Sequence, residues 1–279
     1  MCTTCGCPST DHDHDHDHDH NHDHDHNHNH DHDNRHRHEA GYQHSHGHKG
    51  KHSHHHDAEP VKRTTISIEE EILGKNNRLA GFNRALFKEK GIFVLNLVSS
   101  PGSGKTTLLE RTLRDLSHKL RSAVIEGDQQ TDNDARRIAA TGVPVRQINT
   151  GVGCHLDAHM IMHGTDGFDM DNLDLLLIEN VGNLVCPAAF DLGEHHKVAV
   201  LSVTEGEDKP LKYPQMFRNS TVMLLNKTDL LPYLDFDVEK CKEYARRVNP
   251  DIVIFELSAQ SGAGMEAWYQ WLNDGAGKG

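Results

Sequence analysis

The 279-residue chain has no run of about 18 consecutive apolar residues, which excludes a helical membrane span. Its amino terminus has no apolar core of the kind a secretory signal carries, so the cytoplasm is the expected compartment. Positive charge is scarce as well. Lys and Arg number 29 against 42 Asp and Glu, for a net charge of −13, and no basic stripe stands out, so nucleic acid is not an expected partner. Residues 1 to about 60 lack large apolar side chains almost entirely, and 20 of the 26 histidines lie there. Such a segment cannot bury enough surface to offset its ordering entropy, and it reads as a disordered tail. With 12 acidic and 4 basic residues, the tail holds −8 of the net charge. The six cysteines, in a chain without an export signal, point to metal ligands or free thiols before disulfides.

From Ser67 the composition changes. Ser67 with Glu70 resembles a capping box, and Ile68, Ile72, Leu79, Phe82 and Leu86 recur at the spacing of an amphipathic helix that Gly91 ends. Beyond it, apolar runs at 92–98, 122–126, 143–148, 173–179, 197–203, 221–226 and 252–257 predict strands. Helical stretches are predicted at 105–121, 132–141, 154–163, 208–218, 237–248 and 264–273. Unalternating apolar strands separated by helices imply a doubly wound α/β fold with a mostly parallel sheet covered on both faces. The expected organisation is a cysteine motif at 1–8, a His/Asp-rich tract at 9–60 and a P-loop domain at 66–275.

The first strand runs directly into "SSPGSGKTT" (99–107) and then into a helix. That is the context in which backbone N–H groups converge on phosphates. Gly102, Ser103, Gly104 and Thr107 belong to this cradle; Lys105 would reach the β/γ-phosphates and Thr106 would place its hydroxyl on Mg²⁺. Ser99 stands where the usual motif starts with Gly. "NKTD" (226–229) follows a later strand, so Asn226 would meet the base edge, Lys227 its plane, and Asp229 the guanine N1–H and 2-amino group. Adenine offers an acceptor at N1 and would be rejected, which selects GTP over ATP. "ELSAQSG" (256–262) supplies Ser258 and Ala259 as a second base loop, with Gln260 in place of the commoner Lys. Asp128 and Glu179 are candidate Mg²⁺ and water ligands, although Asp128 also suits a turn or helix cap. Gly182, in "ENVGN", would offer its N–H to the γ-phosphate. Asn183 follows where signalling GTPases often carry a water-positioning Gln, so intrinsic hydrolysis is expected to be slow, about 10⁻³ s⁻¹ or below.

Cys154 and His155 in "GVGCHLDAHM" and Cys186 in "NLVCPAAF" form a candidate site for Ni²⁺ or Zn²⁺, because thiolate and imidazole suit those ions. Cys154 and His155 are expected to open a helix, and Cys186 lies seven residues beyond Glu179 on the loop that should answer to the γ-phosphate. Three protein ligands leave a place for water, His159 or a group from a second subunit. His118, His163, His195 and His196 take no role, and Cys241 reads as packing.

Taken together, "MCTTCGC", the histidine tract, "SSPGSGKTTLLE", "EGDQQTDNDA", "GVGCHLDA", "ENVGNLVCP", "TEGEDKPLKYP" and "NKTDLLPY" resemble the HypB family of hydrogenase nickel-incorporation GTPases. The resemblance implies a P-loop GTPase of the class that dimerises around nucleotide. It would deliver nickel, gated by GTP hydrolysis, to the [NiFe]-hydrogenase large-subunit precursor, with a zinc-containing accessory protein as a second partner. It also implies a tight nickel site at Cys2, Cys5 and Cys7 and a weaker nickel or zinc site at Cys154, His155 and Cys186. Three thiolates and one nitrogen suit the planar geometry that Ni(II) accepts. The tail's imidazoles could hold roughly five ions at about four ligands each, or the tract could act only as a solvated spacer. Two further readings stay open: a nickel store whose GTPase is incidental, and a urease-type accessory GTPase. The second is expected to carry Cys-Pro-His where this chain has Cys186-Pro187-Ala188.

Overall fold

The computed structural model describes residues 60–129 and 131–277, the first ten by backbone alone. Cys2, Cys5, Cys7 and the histidine tract to residue 59 lie outside the described residues. Seven strands form one all-parallel sheet: β1 (Phe93–Ser99), β2 (Ser122–Asp128), β3 (Val145–Asn149), β4 (Leu175–Gly182), β5 (His196–Ser202), β6 (Val222–Asn226) and β7 (Val253–Glu256), in the order β3-β2-β4-β1-β5-β6-β7. Eight α-helices accompany them among the described residues: α1 (Pro60–Lys90), α2 (Lys105–Leu116), α3 (Asn133–Ala139), α4 (Ala158–Gly164), α5 (Lys209–Lys212), α6 (Pro214–Asn219), α7 (Val238–Val248) and α8 (Met265–Gly275). No helix among the described residues is long and apolar enough to cross a membrane.

The sheet carries a core on each face because successive side chains of a strand point oppositely. Phe93, Leu95 and Leu97 of β1 pack with Leu109 and Leu113 of α2 and Trp268 of α8. On the other face, Val94, Ile125, Leu176 and Ile178 meet Phe87 of α1 and Ile161 of α4, while Val98, Leu201 and Leu225 meet Phe217 of α6. Cys241 of α7 is fully buried in this second layer and burial pushes its thiol up to about 12, so it packs as a small hydrophobe.

Several expectations need correction. α1 runs through Ser67 without a break, so the capping box does not start it; Pro60, whose fixed φ suits a first helical turn, does. Its inward face is also not the apolar stripe. Phe82 is 69 % exposed and Ile72 45 %, whereas Asn76, Ala80, Asn83 and Phe87 are buried. Asn76 accepts from the Ala158 N–H (2.9 Å) and donates to the Asp191 carbonyl, and Asn83 donates to the carbonyls of Ala158 (2.8 Å) and Leu192 (3.0 Å). Amides face inward because loop backbone has to be satisfied there. The helix expected over 208–218 breaks into α5 and α6 at Tyr213 (φ −123°, ψ 55°), a residue driven out of the helical region by Pro214. α2 stops at Leu116, five residues short of the expected end. β4 continues three residues past Glu179, which therefore lies within the strand.

Both backbone groups of Ala158, the first residue of α4, are thus held by α1 side chains. Asn83→Ala should lower unfolding stability by about 3 kcal/mol, since two buried carbonyls lose their donor. Denaturant titration checks this, and a loss below about 0.5 kcal/mol, the level of an ordinary surface change, would contradict it.

Candidate phosphate and metal sites

The loop between β1 and α2 owes its shape to Gly102 (φ +74°) and Gly104 (φ +94°), both left-handed. A side chain at Gly104 would meet Asn226 Nδ2 at 2.7 Å, so this glycine is also required by packing. The loop borders a cleft of about 560 Å³ at the carboxyl ends of the strands, lined among others by Lys105, Thr106, Asp128, Glu179, Gly182 and Lys227. That is where open α/β sheets bind ligands. The departure at Ser99 has a structural use: its hydroxyl accepts from Lys105 Nζ (2.7 Å) and from Ser103 Oγ (2.7 Å), holding the lysine folded under the loop. Thr107 accepts from Arg137 (3.1 Å).

Thr106 donates to Glu179 Oε1 at 2.8 Å, and Glu179 Oε2 is buried with no hydrogen-bond partner. The β2–β4 register sets Glu126 beside Glu179 on the same face, and Glu126 Oε2 is likewise buried and unpartnered. Burial pushes Glu179 up to about 7, against the pull of Lys105 and Thr106. Burial, followed by the charges of Glu179 and Asp128, pushes Glu126 up to about 8. Burial also lowers Lys105. Desolvated carboxylates beside a hydroxyl suit a hard cation bridging phosphates. Asp128 lines the same cleft, but its carboxylate closes its own turn by accepting from Gln129 N, Thr131 N and Thr131 Oγ1.

Asn226 is buried, and its side chain bridges loops. It donates to the Ser103 carbonyl (3.0 Å) and accepts from the amides of Lys227 (2.8 Å) and Ala259 (3.2 Å). Lys227, with φ +63°, reaches the Gly102 carbonyl at 2.7 Å. Ser258 Oγ donates to Asp229 Oδ1 at 2.5 Å, joining the two expected base loops.

Cys154, His155 and Cys186 come together: one potential ligand atom from each lies within 4.8 Å of the others. They are the one such cluster of three among the described residues. Contrary to the expectation from sequence, Cys154 and His155 do not open a helix; they sit in the loop before α4, whose cap is the Asp157 side chain accepting from Met160 N. That leaves both side chains free to turn toward Cys186, the first residue of a single 3₁₀ turn (Cys186–Ala188). Cys154 Sγ is 3.6 Å from His155 Nδ1, and the imidazole packs against Phe190, tilted by 38°, with centroids 3.9 Å apart. Burial lowers the His155 pKa, which keeps its ring neutral and able to donate a lone pair. Burial, with Cys186 second, raises Cys154, so its thiol holds its proton until a cation displaces it. His159 is not in the cluster.

The residue connecting the two sites escapes sequence reading. Asn180, adjacent to Glu179 but on the opposite face of β4, is buried and accepts from the amide of Leu156, next to His155 (3.1 Å), and from Val181 N (3.0 Å). It donates to Asn96 Oδ1 (3.2 Å), and Asn96 in turn donates to Glu194. Asn183 donates to the Cys154 carbonyl at 3.4 Å. At the tip of β4, a side chain on Gly182 would lie 3.1 Å from the Pro101 backbone, so strand and phosphate loop are in contact.

Residues 93–256 match the family model described as "CobW/HypB/UreG, nucleotide-binding domain". The chain is 67% identical over 207 residues to the hydrogenase maturation factor HypB of Azotobacter vinelandii, covering 74% of this chain and 68% of that one. It is 64% identical over 211 residues to that of Escherichia coli K12, covering 76% and 73%. Among solved structures it is similar to HypB from Archaeoglobus fulgidus (TM-score 0.68, 41% identity, 73% of this chain and 99% of that one). It is also similar to HypB from Helicobacter pylori in complex with nickel (TM-score 0.70, 38% identity, 73% and 96%).

The Glu126 carboxyl binds its proton more tightly folded than unfolded. The stability it contributes is therefore full below the ordinary carboxylate range and is lost as pH rises toward 8. Glu126→Gln should gain roughly 2 kcal/mol over the parent at pH 8.5 without nucleotide, and almost nothing at pH 5. Thermal melts at both pH values decide; equal differences would contradict the assignment.

Proposed function

The chain belongs to the CobW/HypB/UreG nucleotide-binding family, within its HypB hydrogenase maturation factors, and from that premise we propose that it is a GTP-hydrolysing nickel metallochaperone. In this reading it works in the cytoplasm, binds nickel, and delivers it under control of GTP to the [NiFe]-hydrogenase large-subunit precursor, alongside a zinc-containing accessory protein. The observation that carries the reading is the course of β4. Glu179 meets Thr106 under the phosphate loop, Asn180 holds the backbone next to His155, and Cys186 follows four residues after the strand.

In the phosphate site, Lys105 would exchange its bond to Ser99 for the β/γ-phosphates, and the amides after Gly102 would line the same oxygens. Thr106 and Glu179 fit Mg²⁺, because the second Glu179 oxygen is buried without a partner, and Asp128 borders the same space. When bound, Mg²⁺ supplies neutralising charge across the phosphate oxygens. Gly182 would donate its N–H to the γ-phosphate. Asp229, positioned by Ser258, would read guanine, with Ala259 N and Lys227 beside it. Loss of the γ-phosphate would shift the segment 182–186 and with it the thiol of Cys186. The inner set then loosens its hold on nickel, or on zinc, which the same donors accept. A group from a second copy would complete four-coordination in a GTP-dependent homodimer. Cys2, Cys5 and Cys7 would form the tighter nickel site, and the histidine tract a reservoir.

Nickel affinity should be measured in a Cys2/Cys5/Cys7→Ala protein with GDP and with a non-hydrolysable GTP analogue. It should differ by at least about fivefold, the lower end of ordinary site-to-site coupling. Equal affinities would end the reading. Single-turnover hydrolysis should run at about 10⁻³ s⁻¹ or below, and a rate near 1 s⁻¹ would refute the assignment of a non-catalytic Asn183. Lys105→Ala should abolish turnover and block hydrogenase maturation while leaving every metal ligand in place. Intact maturation would instead favour a nickel store.

A further inference from the structure

Lys197, the second residue of β5, is buried although it carries an ammonium. A lysine at such depth needs partners, and here they are specific. Its Nζ donates to the carbonyls of Pro187 (2.8 Å), Ala188 (3.2 Å) and Phe190 (3.0 Å). All three donors of the ammonium therefore go to the turn that Cys186 opens and the residues just after it. Glu194 Oε1 lies 3.9 Å from Nζ and supplies the opposite charge in the interior.

The same carboxylate leads to the other half of the metal cluster. Glu194 accepts from Leu192 N (2.6 Å) and from Asn96 Nδ2 (3.1 Å). The β1–β5 register sets Asn96 beside Lys197. Asn96 Oδ1 accepts from Asn180, whose own oxygen holds the Leu156 amide next to His155. One buried polar chain thus runs from the Cys154–His155 loop, across β4 and β1, to the turn at Cys186. Phe190, whose carbonyl Lys197 holds, also places its ring against His155. Burial of an ion pair costs about what its attraction returns, so the pair adds little stability. What it supplies is the course of the backbone at 187–190. The bonds begin at Pro187, which leaves 182–186 outside them.

We propose that Lys197, oriented by Glu194, is a positioning residue for the metal cluster. It fixes the turn after Cys186 so that this thiol stands within reach of Cys154 and His155, at the spacing one borderline divalent cation of the nickel class can bridge. The proposal rests on reading the cluster as a metal site, but it needs neither nucleotide nor hydrolysis.

The test takes the full-length Cys2/Cys5/Cys7→Ala protein as parent, with free Ni²⁺ set by a chelator buffer. The thiolate-to-nickel absorption band reports the inner cluster, because the imidazoles of the tail give none. Lys197→Met keeps the length of the side chain and removes the ammonium. It should weaken nickel binding by about tenfold, as expected if the turn keeps its binding geometry only about a tenth of the time. Glu194→Gln should weaken it in the same direction by at least about threefold, and it decides alone if Lys197→Met does not fold. In a parent that also carries Cys186→Ser, both changes should shift the affinity by less than about twofold, since Lys197 acts through that thiol. Leu272→Val, a buried truncation in the core on the opposite face of the sheet, reports general destabilisation and should leave nickel affinity within about twofold. The proposal fails if the folded variants bind nickel as the parent does, or if their losses persist undiminished beside Cys186→Ser. It fails equally if Leu272→Val weakens nickel as much. A parent without the band would overturn the cluster reading itself, and this proposal with it.

Discussion

The amide side chain of Asn180 is the point on which the arrangement of both sites depends. A strand exposes alternate residues to opposite faces, so two adjacent residues of β4 can serve two different places. Glu179 points toward α2 and bonds Thr106; Asn180 points toward α4 and bonds the Leu156 amide. The amide is buried and its bonds lie in a region of low dielectric, where a polar group that loses its partner is costly. β4 and the Cys154–His155 loop are therefore held in fixed relation. Beyond Cys186 the segment after Gly182 is held from the other side of β1, by Lys197 of β5 donating to the carbonyls of Pro187, Ala188 and Phe190. The Cys154–His155 side of the metal cluster is clamped to β4, and Cys186 sits on the short segment between Gly182, which packs against Pro101 of the phosphate loop, and the turn that Lys197 holds.

The cleft itself is electrostatically unfavourable as it stands. Glu126 and Glu179 lie side by side on neighbouring strands, each with an unpartnered buried oxygen, and Lys105 is buried beside them. Charges of one sign at close range raise each other's proton affinity, and a divalent cation with phosphates would reverse that. Groups perturbed in this way are common at functional sites. Ser99 moderates the cost in the meantime by giving Lys105 an acceptor.

Much of this was readable from residue order. Parallel strands are buried on both faces, so their apolar runs stand out without alternation, and all seven fell close to their predicted places. The phosphate loop and the base motif were legible because each pairs glycines or a carboxylate with a strand end. Cys154, His155 and Cys186 were legible because their chemistry is rare. The inward face of α1 was not: apolar periodicity singles out Ile72 and Phe82, yet the helix docks by Asn76 and Asn83, whose partners are backbone atoms about 75 to 115 residues away. Asn180 was missed for the same reason. Glu126 was missed because a lone glutamate in a strand has no motif, and only the β2–β4 register brings it to Glu179.

The most direct measurement is amide hydrogen exchange over residues 181–189 of the metal-loaded protein, compared between the diphosphate and a non-hydrolysable triphosphate. The account predicts a clear change in protection across 181–189, with the amide of Leu156, held by Asn180, unchanged. Identical exchange across 181–189 in the two nucleotide states would contradict it.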